Sequence, residues 1–238
     1  MENKTITSLR FEEARIRDVY ARRQDTDRYS WFNPAYRVMI QEQEKIMLRL
    51  LHQHGVQSLD EQSILEIGCG KGFWLREFIK WGAQPKNVTG IELLPGRVEE
   101  AKQLCPEGVH IENGSAIDLP FRDEQFDVVL QSTVFSSVLD PEMKIRIARE
   151  MVRVMKKHGC IIWYDFHVNN PWNSDVRGVK KHEMYKLFPD CQFSLHRVTL
   201  APPITRRLAS YSLLGCHLLE KLKILNTHYL ALITKPVN

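Results

Sequence analysis

Residues 64–72 read ILEIGCGKG, a short apolar run that ends in three alternating glycines. An apolar run of this length, bounded by turn residues, is typical of a buried β-strand. Glycines directly after a strand permit the tight backbone turn that leads into a helix. The stretch therefore predicts a strand, a glycine turn and a helix that begins near Phe73.

Beyond this stretch, short apolar runs alternate with helical patterns, which is typical of a parallel sheet with helical crossovers. The second run, at residues 88–91, is followed by a carboxylate, Glu92. The predicted strands cover residues 64–67, 88–91, 109–111, 126–130, 160–166, 191–200 and 228–234. The predicted helices between them cover residues 73–81, 96–104, 141–156 and 179–188.

Helical regions flank the alternating pattern on both sides. The first sixty residues predict two helices and an aromatic-rich break between them. The apolar face of the first helix is predicted to carry Phe11, Ala14, Val19 and Tyr20. A helical insertion is predicted over about residues 203–225, between the last two strands. We therefore predict a helical cap or lid at residues 1–60 and a main domain at residues 61–238.

Composition and charge exclude several other classes of protein. A hydrophobic fraction of 43% and a charged fraction of 26% are ordinary for a soluble globular protein. A net charge of +4 without a basic run does not indicate a nucleic-acid partner. The five cysteines have no zinc-type spacing, so we expect no metal site and free thiols in a reducing cytoplasm. We expect neither a signal peptide nor a transmembrane segment.

The glycine spacing discriminates between two classes of cofactor. A dinucleotide fingerprint is G-x-G-x-x-G, and its third glycine would fall at Phe73. The chain has G-x-G-x-G instead, preceded by Glu66, whose carboxylate is a candidate ligand for an ammonium group. Glu92, at the end of the neighbouring strand, can accept hydrogen bonds from both hydroxyls of a ribose. Together these residues predict a pocket for an adenosine-type cofactor.

These motifs resemble those of the class I S-adenosylmethionine-dependent methyltransferases, in their small-molecule, type 11-like group. The resemblance covers about residues 63–166. It rests on residues 66–72, on Glu92, on SAIDLPF at 115–121 and on FDVVLQ at 126–131. It implies an α/β fold, a Rossmann-like three-layer αβα sandwich with a mostly parallel seven-stranded sheet.

The resemblance also implies the cofactor, S-adenosyl-L-methionine, and its product, S-adenosyl-L-homocysteine. The expected cofactor-binding residues are Glu66, Gly68, Cys69, Gly70, Gly72, Glu92, Leu93, Ser115, Ala116 and Gln131. Many relatives carry Asp where this chain has Ser115, and the Ser hydroxyl accepts a hydrogen bond with less charge assistance. Leu93 is expected either to pack on the adenine face or to be a plain core residue.

Asp165 and His167 are candidate catalytic residues after the fifth predicted strand. Being two residues apart, they share a strand face if the strand continues that far. His167 is the candidate general base for an oxygen acceptor, with Asp165 orienting it. The alternative is that both residues cap a loop. Further candidates for contact with the acceptor, or for a lid, are Tyr29, Trp31, Phe135, Asn169, Arg206 and Tyr211.

The acceptor is predicted from a second resemblance, later in the chain. Residues 163–189 resemble bacterial methyltransferases of sugar and polysaccharide pathways, which implies a hydroxyl on a sugar-like small molecule, free, phosphorylated or carrier-linked. N- or C-methylation, a non-catalytic cofactor-binding module and an NAD-type oxidoreductase stay open as alternatives. The insertion is read as a lid, a dimer surface, a helix resting on a membrane or a helix packed on the sheet. We expect a monomer or a homodimer.

Overall fold

A computed structural model describes residues 2–22 and 29–236, so that residues 23–28 of the predicted cap lie outside the described part. The strands are β1 (Ile64–Ile67), β2 (Val88–Glu92), β3 (His110–Asn113), β4 (Phe126–Ser132), β5 (Met155–Phe166), β6 (Gln192–Leu200) and β7 (Asn226–Thr234). The α-helices are α1 (Glu2–Ala21), α2 (Pro34–Gln53), α3 (Phe73–Lys80), α4 (Pro95–Leu104), α5 (Pro141–Val154), α6 (Lys181–Leu187), α7 (Pro202–Leu208) and α8 (Leu213–Lys221).

The strands form a seven-stranded sheet in the order β3-β2-β1-β4-β5-β7-β6. Strands β1 to β5 pair in parallel, and β7 runs antiparallel to both β5 and β6. The chain moves outward from β1 to β3 and then crosses back to β4, so the strand order reverses at β1 and β4. Open sheets of this kind bind ligands at the carboxyl ends of the strands beside such a reversal. The predicted fold class and the helical insertion between β6 and β7 are confirmed.

The sheet separates two hydrophobic cores. Leu65 and Ile67 of β1 pack with α1, α5 and α6 on one face, and Ile64 packs with α2, α3 and α4 on the other. This division follows from the alternation of side chains along a strand. A smaller cluster joins the start of α2 to the insertion through Ala35, Cys216 and their neighbours. The division of the chain at residue 60 stays a prediction.

The predicted apolar face of α1 is wrong for Phe11 and Ala14, which are exposed. The inward face carries Val19, as predicted, and three further buried residues, Leu9, Glu12 and Ile16. Glu12 is buried because its carboxylate accepts hydrogen bonds from the backbone amides of Leu139 and Asp140. Hydropathy alone does not detect such a polar anchor, which fixes the rotation of the helix.

Two further boundaries differ from the prediction. The helix predicted at 141–156 ends at Val154, because β5 begins directly at Met155 and pairs there with Phe126. The insertion is not one continuous helix but two, α7 and α8. The second helix starts anew because Ser212 is its N-cap, and the Ser212 hydroxyl accepts a hydrogen bond from the Gly215 amide.

Among the described helices, none combines the length and the apolar character needed to cross a lipid bilayer.

Candidate active site

The glycine turn after β1 has a backbone that requires glycine. Gly68, Gly70 and Gly72 have positive φ angles of 66°, 55° and 73°, a region that other residues rarely adopt. Space is also restricted, since a Cβ atom at Gly68 would lie 2.7 Å from Val134 Cγ2 and one at Gly72 would lie 2.5 Å from Cys105 Sγ. The turn therefore brings backbone close to its surroundings at the carboxyl end of β1.

Glu92 at the end of β2 contacts this turn directly. Its Oε2 accepts a hydrogen bond from the Gly70 amide at 2.9 Å, and its Oε1 accepts one from the Leu94 amide at 3.0 Å. The Asn113 side chain donates to the Glu92 carbonyl oxygen at 2.9 Å and so fixes the end of the strand. A carboxylate has about four acceptor positions, so Glu92 is held in place with capacity left for a ligand.

Glu66 is buried in β1 beside Glu92. Its Oε2 has no hydrogen-bond partner among the described residues. Burial, and then the charge of Glu92, raise the pKa of Glu66 well above its usual value. A buried acceptor without a donor is unfavourable, so Glu66 is suited to a ligand that brings N–H groups.

The other predicted cofactor residues differ from one another in burial and in hydrogen bonding. Cys69 is buried and burial raises the pKa of its thiol, so the side chain is a packing group and not a nucleophile. Leu93 and Ala116 are half-buried against the core that contains α1. The Ser115 hydroxyl accepts a hydrogen bond from the Ile117 amide at 3.5 Å. These residues surround the carboxyl ends of β2 and β3.

Gln131 is fully buried at the end of β4. Its Nε2 donates to the Tyr164 carbonyl oxygen at 3.3 Å, and its Oε1 accepts from the Val134 amide at 3.0 Å. Both ends of the side-chain amide are therefore used to hold the turn after β4. In the described structure, the Gln131 side chain therefore stabilises the end of β4 and the turn that follows it.

Helix α1 contacts the same edge of the sheet through residues that the sequence analysis did not identify. Arg15 donates to the Ser137 carbonyl oxygen at 2.6 Å, beyond β4, and Arg17 donates to the Leu93 carbonyl oxygen at 2.7 Å, beyond β2. The guanidinium of Arg97 lies 4.4 Å from the ring centroid of Tyr20, a cation–π distance. Arginines along a helix are common on exposed surfaces, so no sequence signal distinguishes these anchors.

Of the two predicted aromatic lid residues, Trp31 lies beside the residue that follows the glycine turn, and Tyr29 lies beside Tyr36 of α2. The Trp31 ring is 6.3 Å from the ring of Phe73, the first residue of α3, and 5.7 Å from Tyr36. The Tyr29 ring is 5.9 Å from Tyr36. Tyr29 is 70% exposed and Trp31 46% exposed, so both have free surface at this position.

Asp165 and His167 both lie at the carboxyl end of β5, but their side chains bind different partners. Asp165 is buried and accepts a hydrogen bond from the Ser136 amide at 3.0 Å, and burial raises its pKa to about 7. His167 Nε2 lies 3.1 Å from the Asn226 carbonyl oxygen, and burial lowers the pKa of the ring. A carbonyl only accepts, so Nε2 carries the proton and Nδ1 the lone pair.

The remaining acceptor candidates are spread over the molecule. Phe135 was predicted to line the acceptor site. It is instead fully buried in the core, where its ring centroid lies 4.4 Å from that of Trp163. Asn169 accepts a hydrogen bond from the Gly178 amide and shapes a loop. Arg206 and Tyr211 are exposed on the insertion. The structure does not gather these four residues into one cluster.

Parts of this chain are similar to known proteins. Residues 65–163 match the family model described as "Methyltransferase domain". These residues, which we call the methyltransferase domain, are similar to the class I S-adenosylmethionine-dependent methyltransferases, and the match spans less than half of the chain. The methyltransferase domain has its glycine turn and Glu92 within this matched range.

Two curated relatives of the methyltransferase domain have names that state an activity. Phthiotriol/phenolphthiotriol dimycocerosates methyltransferase of Mycobacterium tuberculosis is 30% identical over 140 residues, 57% of this chain and 50% of that protein. Demethylmenaquinone methyltransferase of Staphylococcus aureus is 31% identical over 100 residues, 41% of this chain and 40% of that protein. The chain thus spans about half the length of the curated relatives it matches.

Solved structures with the same fold cover more of the chain. Geranyl diphosphate C-methyltransferase from Streptomyces coelicolor A3(2), a complex with S-adenosyl-L-homocysteine, has a TM-score of 0.62 at 14% identity. The match covers 95% of this chain and 98% of that one. An S-adenosylmethionine-dependent methyltransferase from Methanosarcina mazei has a TM-score of 0.56 at 17% identity, covering 79% and 98%.

S-adenosylmethionine is the cofactor of this family, and the residues present in the methyltransferase domain fit it. The cofactor carries an ammonium group, and Glu66 offers a buried carboxylate oxygen that has no donor in the described structure. It carries a ribose diol, and Glu92 is a fixed carboxylate with spare acceptor positions. Side chains are excluded from the turn between them, where Gly68 and Gly72 lack room for a Cβ atom.

Proposed function

We propose that the chain is an S-adenosylmethionine-dependent methyltransferase that acts on a small-molecule acceptor. The observation that carries this proposal is the contact between Gly70 and Glu92, which joins the glycine turn to the acid of the next strand. In this assignment Glu92 binds the ribose hydroxyls and Glu66 the ammonium group. Leu93, Ser115 and Ala116 lie beside the adenine.

When bound, the cofactor supplies a methyl group that is already activated by its sulfonium. The chain itself must position the acceptor, exclude water and, for a hydroxyl acceptor, remove a proton. Helix α1 serves the first two tasks, because Arg15 and Arg17 fasten it across the ends of β4 and β2. Trp31 and Tyr29 extend this cover beside the glycine turn.

His167 and Asp165 are the two candidates for the proton acceptor. His167 has a pKa below its usual value of 6.5 because it is partly buried, so the ring is largely neutral at pH 7. Its Nδ1 then carries the lone pair that a base needs. Asp165, with a pKa near 7, is partly ionised at the same pH. The base proposal favours His167, because the Ser136 and Phe166 amides already bind the Asp165 carboxylate.

For the acceptor we propose a hydroxyl on a sugar-like molecule, free, phosphorylated or carrier-linked. The polar, partly buried end of β5, with Asp165 and His167, supports an oxygen acceptor. A second candidate is an apolar lipid or quinone, which the activities named for the two curated relatives favour. We propose a cytoplasmic location, since all five cysteines are free thiols, and no nucleic-acid partner.

Calorimetry with S-adenosylhomocysteine tests the cofactor assignment without any knowledge of the acceptor. We expect saturable binding, and competition with S-adenosylmethionine. Incubation with a panel of sugar acceptors and a panel of lipid and quinone acceptors, read as release of S-adenosylhomocysteine, then decides between the two acceptor classes. Absence of binding to both cofactor forms would refute the proposal, and titration with NAD would test the oxidoreductase alternative.

A further inference from the structure

The insertion exposes a row of apolar side chains that nothing in the described residues covers. Leu214, Leu218 and Leu222 follow one another at intervals of four residues, so they share one face of α8 and its C-cap. They are 69%, 55% and 62% exposed. The opposite face packs inward through Cys216, which is fully buried. We call the three exposed residues the leucine stripe. Helix α8 therefore has two apolar faces, of which the core uses one.

Within residues 201–225, the exposed Lys, Arg, Asp and Glu side chains are all basic. Between residues 201 and 225 the basic residues are Arg206, Arg207, Lys221 and Lys223. The one acidic residue of this segment is Glu220, which is 6% exposed and accepts a hydrogen bond from the Thr199 amide. Apolar side chains flanked by basic ones are typical of a helix that lies in a membrane interface.

A basic cavity of about 400 Å³ lies beside the leucine stripe, between α2, β6 and α8. Five cationic side chains line it, Lys45, Arg49, Arg197, Lys221 and Lys223. Its two carboxylates are already engaged, since Glu42 pairs with Lys45 at 3.6 Å and Glu220 binds the Thr199 amide. His196 lines the same cavity, and its pKa is lowered first by burial and then by the positive charges of Lys223 and Arg49. The cavity is therefore suited to an anion.

The stripe and the cavity form one continuous surface. His217 and Lys221 line the cavity and lie one helical turn apart on α8, next to Leu214 and Leu218. We infer that this surface docks the protein on an anionic lipid bilayer, with the leucine stripe in the interface and lipid phosphates at the basic cavity. Apolar burial and attraction to anionic headgroups add together in such contacts.

Membrane docking does not depend on methyl transfer, because vesicle binding and cofactor binding are measured separately. Co-sedimentation compares vesicles of phosphatidylcholine alone with vesicles that also contain phosphatidylglycerol. We expect binding to the anionic vesicles, weaker binding to the neutral ones, and a decline as salt is raised. Equal binding to both vesicles, or binding to neither, would overturn the inference.

Two pairs of substitutions separate the two parts of the surface. Leu214→Ser with Leu218→Ser should weaken vesicle binding at least about tenfold, since both side chains lose their burial in lipid. The control is Leu104→Ser at the end of α4, where the leucine is 52% exposed. Lys221→Glu with Lys223→Glu should abolish the preference for anionic vesicles, and Lys157→Glu at the start of β5 should not. Equal effects of test and control variants would refute the proposed surface.

Three further outcomes identify a different occupant. A dimer in sedimentation velocity that the leucine substitutions dissociate would assign the stripe to a second copy of the chain. Stabilisation by inorganic phosphate or glycerol phosphate without vesicle binding would assign the cavity to a free anion. Glu42, His217 and Glu220 have ligand atoms within 4.8 Å of one another, so vesicle binding that EDTA abolishes would indicate a bridging metal. Each of these results would overturn membrane docking by direct contact.

Discussion

The backbone amide of Gly70 donates a hydrogen bond to the carboxylate of Glu92 at 2.9 Å, although the two residues are 22 positions apart. The bond joins the turn of the first βα unit to the end of the neighbouring strand. Because the Leu94 amide binds the other oxygen, the Glu92 carboxylate is held in one orientation before any ligand arrives. A preorganised acceptor loses less entropy on binding than a mobile one.

Replacing this carboxylate by an amide tests the cofactor assignment. In Glu92→Gln the side-chain NH₂ must face either the Gly70 or the Leu94 amide, so one hydrogen bond is lost and one ribose acceptor becomes a donor. We expect the affinity for S-adenosylhomocysteine to fall about 10- to 100-fold, which corresponds to losing a hydrogen bond to a charged group. Titration calorimetry measures it. Glu112→Gln, on β3, is the control, and equal affinities in both variants would contradict the assignment.

Replacing Gly72 in the glycine turn should lower the stability of the protein for two reasons, backbone strain and a steric clash. Gly72→Ala introduces a side chain at a φ of 73° and places its Cβ atom against Cys105 Sγ. We expect the free energy of unfolding to fall by about 2–3 kcal/mol, from strain and overpacking together. Urea denaturation measures this change.

A matched glycine isolates the backbone cause. Gly82 has a φ of 105°, and a Cβ atom at this position would have no other atom within 4 Å, so Gly82→Ala should lose only about 1–2 kcal/mol. Adding Cys105→Ala to Gly72→Ala should recover part of the loss by removing the contact. If the Gly72 and Gly82 variants lost equal stability and Cys105→Ala changed nothing, the steric argument would be wrong.

Local patterns predicted the sheet well, because buried strands are short apolar runs that sequence displays directly. The run at residues 64–67 coincides with β1, and 88–91 falls one residue short of β2. The start of β5 was missed because Lys156 and Lys157 resemble the basic end of a helix. Their strand geometry is imposed from a distance, by pairing of β5 with β4.

The base proposal predicts a specific separation of binding from turnover. We expect His167→Ala to leave the affinity for S-adenosylhomocysteine unchanged and to lower turnover about 100-fold, the usual contribution of a general base. The control is His110→Ala, on β3 and away from the acceptor side. Calorimetry and an S-adenosylhomocysteine release assay provide the two measurements. Near-normal turnover would remove His167 from the mechanism.

The pH profile then distinguishes His167 from Asp165. A base must be unprotonated, so turnover falls as the pH drops below its pKa. Burial lowers the pKa of His167 below 6.5, whereas burial raises that of Asp165 to about 7. An inflection below 6.5 supports His167, and one near 7 that disappears in Asp165→Asn assigns the role to Asp165.

The site was less predictable than the sheet, because its contacts join distant parts of the chain. Spacing placed Gly70 and Glu92 at neighbouring strand ends, where the structure joins them by a hydrogen bond, since strand ends of a parallel sheet meet by topology. The anchoring of α1 by Arg15 to Ser137 joins residues 122 positions apart and leaves no periodic signal. Similarly, the sequence places Asp165 near His167, but hydrogen bonding turns it towards Ser136.

The ion pair between the buried Lys144 of α5 and Glu183 of α6 predicts a large loss of stability when Glu183 alone is removed. Lys144 Nζ lies 2.6 Å from Glu183 Oε1, and its side chain is 1% exposed. Glu183→Ala leaves the buried ammonium without this partner, so we expect a loss of about 3 kcal/mol in the free energy of unfolding. Lys144→Met combined with Glu183→Ala should recover most of it.

The control for this ion pair is on the same helix. Glu142 pairs with Arg146 at 3.5 Å, where the two side chains are 46% and 38% exposed, so Glu142→Ala should cost no more than about 0.5 kcal/mol. Urea denaturation of the wild type and the three variants forms the comparison. A double variant as unstable as Glu183→Ala would show that the loss does not come from the uncompensated charge.

The lowered pKa of His228 on β7 predicts how the free energy of unfolding changes with pH. Its ring is stacked at 5.0 Å on Tyr164, and burial lowers its pKa to about 3. Between pH 3 and pH 6.5 the unfolded chain binds a proton at this residue and the folded chain does not, so stability falls as the pH falls through this window.

Asp165 and Glu220 act in the opposite direction. Burial raises their pKa values to about 7, so the stability that they contribute is lost as the pH rises towards 7. Comparison with His228→Phe cancels their effect. The stability difference between wild type and variant should shift against the wild type by about 1.4 kcal/mol per pH unit below about 6.5. His52→Phe, at an exposed position, is the control, and a pH-independent difference for His228→Phe would show that the buried ring is protonated in the folded state.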